Sequence, residues 1–121
     1  MKKLMYVPII AIGFFAACKS TKQPVATVPA IPLDCSNKTL TYSADIKSII
    51  ETNCANCHNT NNKAGYNFLT LVSVKKAATS GELLGTIKHQ KGYSKMPMSA
   101  SKLPQESIDK IECWINNGMK E

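Results

Sequence analysis

Cys54-Ala55-Asn56-Cys57-His58 is the stretch that decides how this 121-residue chain is read. Two thiols three positions apart, followed directly by a histidine, can hold one haem at three points. Each thiol can add to a vinyl group as a thioether, and the imidazole can bind the iron. The spacing is that of c-type haem attachment. On one helical turn Cys54 and Cys57 point the same way, so both sulfurs can lie along one edge of a porphyrin. His58 would ligate through Nε2, and its Nδ1–H would need an acceptor such as a backbone carbonyl. Two other chemistries use such a pair. A thioredoxin-type thiol site expects a βαβ context, which the sequence lacks. Zinc expects four ligands, and the other His and Cys residues are scattered. The expected cofactor is one covalently attached haem c.

Outward from the motif the pattern is helical, with no run of alternating strand residues, and the expected fold class is all-α. Ile46, Ile49 and Ile50 share one helical face leading into Cys54. Ser43 is the expected N-cap, with Asp45 in the first turn where a carboxylate favours the helix dipole. Asn59 to Gly65 reads as a loop. Leu69, Leu71, Val72 and Val74 open a segment that becomes helical towards Ala78. Ser80 is expected to cap a third helix with Leu83, Leu84 and Ile87 inward, and Gly85 inside it marks close packing. Residues 90–102 read as a long loop. Pro104 suits the first turn of a last helix. Ile108, Ile111, Trp114 and Ile115 share its inner face, and Gly118 stands where a C-terminal cap belongs.

A sixth iron ligand must come from downstream, and Met96, Met98 and His89 are the candidates. Met96 precedes Pro97, which biases its backbone to extended geometry and suits a loop residue reaching into a pocket. Met98 can project in a similar direction, so both stay open. Methionine is more often core filler than ligand, but these two lie in a polar, lysine-flanked loop. His89 reads as an exposed helix-end histidine favourable to the dipole.

The ends of the sequence speak to location. Met1-Lys2-Lys3 and the apolar run Leu4–Ala17 describe a secretory signal over residues 1–17, too short for a membrane span. Phe15-Ala16-Ala17-Cys18 resembles a bacterial lipobox, with Phe15 where leucine is usual. Cys18 is then expected to carry lipid; the alternative is an ordinary signal with a chance cysteine. Residues 18–39, with several prolines, read as a semi-rigid tether, and residues 40–121 as one domain. So short a chain buries a limited core, to which a haem would add apolar mass. Export permits disulfides. Cys35 and Cys113 are the cysteines left over, which suggests a bridge. Cys113 points nearly opposite the inner face of the last helix, so it could pin the tether there.

The formal charge is +7, all of its basic part from lysine, and +5 without Lys2 and Lys3. Nucleic acid is a poor partner for an exported chain without arginine. A lysine-rich surface suits steered encounters with acidic redox proteins at the membrane, as well as plain solubility.

Taken together these residues resemble a small class I cytochrome c, and specifically the planctomycete-type cytochrome c domain found in exported lipoproteins. The resemblance is carried by Tyr42-Ser43, Asp45-Ile46, Cys54 and Cys57-His58. It continues through the Gly65 loop, Met96-Pro97, Lys102-Leu103, and Ile111 to Trp114-Ile115 and Asn117-Gly118. It spans nearly all of residues 41–118. It implies helices and loops wrapped round one haem. It also implies Met96 as distal ligand, because the family uses the methionine of a Met-Pro-Pro stretch. Met98 replaces the second proline and is the fallback. Pro104 replaces the usual Ser or Thr cap. The expected function is a membrane-tethered monohaem electron carrier in the bacterial periplasm or cell envelope, without enzymatic activity. A haem enzyme or gas sensor with an open sixth site is the alternative, and needs neither methionine to ligate.

Overall fold

Thr41 begins the first helix with a reciprocal cap. Its Oγ1 accepts from Ala44 N–H at 3.3 Å, and Asp45 Oδ2 accepts from Thr41 N–H at 2.9 Å. These bonds satisfy donors that a helix start leaves without partners. The cap is therefore Thr41, whose backbone is extended, and not Ser43, which lies inside the helical turn.

The computed structural model describes residues 33–61, 63–98 and 101–121. The expected signal at 1–17, Cys18 and the tether up to residue 32 lie outside the described residues. All regular structure among the described residues is helical. A wide π turn, Tyr42–Ile46, leads into α1, Lys47–Asn53; then come α2, Leu71–Thr79, α3, Glu82–Ile87, and α4, Gln105–Asn116. A short 3-10 turn spans Lys63–Gly65.

The apolar stripes meet as their spacing predicts. Ile46, Ile50, Val74, Ile87, Ile108, Ile111 and Trp114 are all buried in one core. Leu84 and Ile115, expected inside, are only half-buried at its margin. α4 is the strut of the fold, packed on both the first helical turn and α3. It ends in a Schellman motif: Gly118, at φ +88°, donates to Ile115 O, and Met119 N–H donates to Trp114 O at 2.9 Å. That turn sends the C-terminal residues back over the core. There the Lys120 carbonyl accepts from Trp114 Nε1–H at 2.8 Å and from Tyr42 N–H at 2.9 Å.

Two helix boundaries differ from the sequence expectation. Ser80 ends α2, its Oγ donating to Ala77 O at 3.1 Å, and the residue before α3 is Gly81 at φ +80°. A sharp bend between two helices this close needs a left-handed residue, which glycine adopts freely. Pro104 has the φ of a helix but an extended ψ, so it stands just before α4 and not in its first turn.

The domain also reaches back beyond residue 40. Cys35 and Cys113 are disulfide-bonded, with Cα atoms 5.2 Å apart. Asn117 Nδ2 donates to Cys35 O at 3.0 Å and to Lys38 O at 2.8 Å. Residues read as the end of a tether are thus fastened along α4. They cover Cys113, which is fully buried although it lies off the helix's inner face.

The bond closes a separation of 78 residues, for which chain entropy in the unfolded state predicts a stabilisation of about 4 kcal/mol. Cys35→Ala with Cys113→Ala is expected to cost about 2–4 kcal/mol in urea unfolding and to open residues 33–40 to proteolysis. Gly85 offers a second test. A Cβ there would fall 2.5 Å from the Tyr93 ring. Gly85→Ala should therefore destabilise by about 1–2 kcal/mol, despite the better helix propensity of alanine. In a Tyr93→Ala background the same change should stabilise by up to about 1 kcal/mol.

Candidate functional site

α1 runs out at Asn53, and the chain turns tightly through the cysteine pair. Cys57 N–H and His58 N–H both donate to Cys54 O, at 3.2 and 2.9 Å. This turn lays Cys54, Cys57 and His58 along one side of a cavity of about 390 Å³. Apolar side chains from separate elements complete the walls, among them Phe68, Ala77, Leu83, Ile87 and Leu103. The loop before α4 adds Met96, Pro97 and Met98. A mainly apolar cleft with a few polar groups is the usual form of a small-molecule or cofactor site.

The two thiols are free and differ in setting: Cys54 is half-buried and Cys57 exposed. Burial pushes the Cys54 thiol up to about 11. Thiol–disulfide catalysts need the opposite shift, because the thiolate is the reacting species. Among the described residues no group of three His, Cys, Asp or Glu side chains gathers into a metal cage.

His58 is oriented by its neighbours. Its Nδ1 lies 3.0 Å from Lys63 O. A carbonyl only accepts, so Nδ1 carries the proton and Nε2 is left as the lone-pair nitrogen of the neutral ring. The Lys63–Gly65 turn presents that carbonyl, with Ala64 at φ +54° and Gly65 at φ +77°. Phe68 packs against the ring, centroids 5.0 Å apart, and its N–H donates to His58 O at 2.7 Å. Tyr66 stacks on Phe68 at 5.6 Å, with Lys76 Nζ 5.6 Å above it. The acceptor for Nδ1 was expected from the chemistry of a ligating histidine. That Lys63 supplies it was not legible, because a backbone carbonyl leaves no mark on the sequence.

The three candidates for a sixth ligand separate in space. Met96 is half-buried, whereas Met98 is 81% exposed, although both border the cavity. His89 is not on the lining. It is not the solvent-facing helix-end residue expected from its neighbours either: it is half-buried, and its Nε2 lies 3.0 Å from Met96 O. Of the aromatic residues near the site, Tyr66 borders the cavity; Trp114 is buried in the core and Tyr93 lies on Gly85.

The donor set suits a c-type haem: two thiols and one histidine at a single turn, a thioether from a distant loop, and apolar walls between. Cys35 and Cys113 lie toward the C-terminal end of α4, while Leu103, just before its start, belongs to the cavity. The disulfide therefore takes no part in the site. No protein-family profile, curated protein or solved structure matches the chain.

The unequal burial of the two thiols has a measurable consequence in chain produced without haem. With its pKa at about 11, only about one part in a thousand of Cys54 is thiolate at pH 8. Iodoacetamide should label Cys57 well before Cys54. Labelling of Cys54 should rise about tenfold per pH unit up to that value, followed by peptide mass spectrometry.

Proposed function

We propose that this protein is a monohaem c-type cytochrome that carries single electrons. The observation that supports this most is the convergence, in one apolar cavity, of both thiols and the imidazole of Cys54–His58 with Met96 from the loop before α4. Bound haem supplies a one-electron ferric–ferrous couple, which no side chain of the protein offers.

Each residue then has a distinct part. Cys54 and Cys57 would hold the porphyrin covalently, one thioether each. His58 offers Nε2 to the iron while Lys63 O holds the opposite ring nitrogen; such a bond fixes the tautomer and raises ligand basicity. Met96, in preference to the largely exposed Met98, would supply the second protein ligand to the iron. A His/Met pair would raise the potential relative to a His/His pair. A histidine and a methionine both held on the iron would keep small ligands off it, which favours a carrier over an enzyme. The mainly apolar walls suit a porphyrin, and the arrangement of four short helices is consistent with a class I cytochrome c fold.

Export belongs to the same reading. The Cys35–Cys113 disulfide fits an oxidising compartment. With the apolar run Leu4–Ala17 and Cys18 it favours a lipid-anchored protein of the bacterial periplasm or cell envelope, meeting acidic redox partners at the membrane through its lysines.

A haem stain that survives a denaturing gel is expected, because thioethers outlast unfolding. The ferric protein should be low-spin with a weak Met–iron charge-transfer band. Met96→Ala should abolish that band and Met98→Ala leave it. A wild-type protein with high-spin ferrous iron and immediate carbon monoxide uptake would instead have an open sixth site, as a haem enzyme or gas sensor requires.

A further inference from the structure

α3 ends in the same Schellman geometry as α4, but with an unusual residue in it. His89 N–H donates to Thr86 O at 3.2 Å, and Gln90 N–H donates to Gly85 O at 2.9 Å. The residue between cap and exit must be left-handed, and His89 stands there at φ +56°. Glycine is the usual occupant, since any Cβ is strained in that region. α4 uses Gly118 at the equivalent place. A histidine in this position gives up backbone ease, so its side chain is the thing to explain.

That side chain ends on Met96. His89 Nε2 is 3.0 Å from Met96 O, and as the acceptor is a carbonyl the ring must donate. Met96 N–H in turn donates to Thr86 O at 3.2 Å. Both backbone polar groups of Met96 are thus held by the C-terminal end of α3. Tyr93, lying flat on Gly85, fastens the intervening loop to the same helix. Met98, by contrast, is 81% exposed.

We infer that His89 is a positioning residue for the distal ligand: its imidazole clamps the Met96 backbone to α3, so that the thioether stands at the cavity before and after each electron transfer. This rests on the haem reading above. His89 does not touch the iron; it acts through Met96. One hydrogen bond of ordinary strength shifts the balance between bound and departed thioether about fivefold. In the ferrous protein the rate of carbon monoxide uptake counts the departed fraction.

The test uses mature holoprotein carrying His89→Gly, His89→Gln and, as control, Met96→Ala. His89→Gly should unfold at the same temperature as wild type or higher, because glycine suits the left-handed turn. Its ferrous carbon monoxide uptake should nevertheless rise about fivefold. His89→Gln, whose amide N–H can reach the same carbonyl, should return uptake to within about twofold of wild type. Unchanged uptake in His89→Gly overturns the inference, and so does an equal rise in the glycine and glutamine variants, since then the hydrogen bond is not what matters. Absence of covalent haem from the wild type would instead sink the proposed function itself. Covalent haem without a Met–iron band would leave haem binding intact and dismiss both Met96 as ligand and His89 as its support.

Discussion

The backbone carbonyl of Lys120 accepts from the Trp114 indole and from the Tyr42 N–H, and both ends of the domain depend on that junction. A carbonyl has two lone pairs, so one group can serve both donors. The bond gives the polar atom of a fully buried tryptophan its partner, without which that burial would be costly. It also joins the start of the first helix to the tail beyond α4. The Tyr42 ring packs against Trp114 at a centroid distance of 5.9 Å, which makes the same junction an apolar one. The cysteine turn at the end of α1 and the loop leading into α4 border the same cavity.

That space is framed by short helices, none long enough to be stable alone. Their stability comes from burying one face each, and Ala77, Leu83 and Ile87 also line the cavity. The His58 and Met96 residues beside it are held largely through backbone groups. Lys63 O fixes the His58 ring, Thr86 O takes the Met96 N–H, and the His89 ring takes Met96 O. Such holding from turns and helix ends gives a small domain precision that its thin core alone would not supply. In the proposed cytochrome the cofactor completes that core, so the same group that carries the electron also adds to the fold. The disulfide acts elsewhere, fastening residues 33–40 over Cys113 at the other end of α4.

How much of this was legible depends on which physics wrote it. Side-chain periodicity placed Ile46, Ile50, Ile108, Ile111 and Trp114 on the faces they bury, because burial selects residue type directly. Capping was less legible. Thr41 and Ser43 are both good caps by propensity, and the choice went to the residue that Asp45 could reach back to. Ser80 lost the start of α3 to Gly81 because the bend there needs a positive φ. His89 resembled a solvated helix end by composition. Its departure from glycine at a left-handed position was the one available signal, and it only has meaning once the helix end is known to fall there.

The sequence by itself determined the helical class and singled out the residues on which the proposed chemistry rests. Cys54, Cys57 and His58 are specified by covalent spacing, the helices by period, and the pairing of Cys35 with Cys113 by what the other cysteines left over. Only the tertiary structure decided which methionine is the more enclosed, which carbonyl holds His58, what the His89 ring bonds to, and how far the domain extends toward its N-terminus. The reason is the same in each case. Local patterns record what a residue needs from its immediate neighbours in the chain. These four outcomes depend on contacts between segments far apart in sequence, made through backbone atoms that every residue shares.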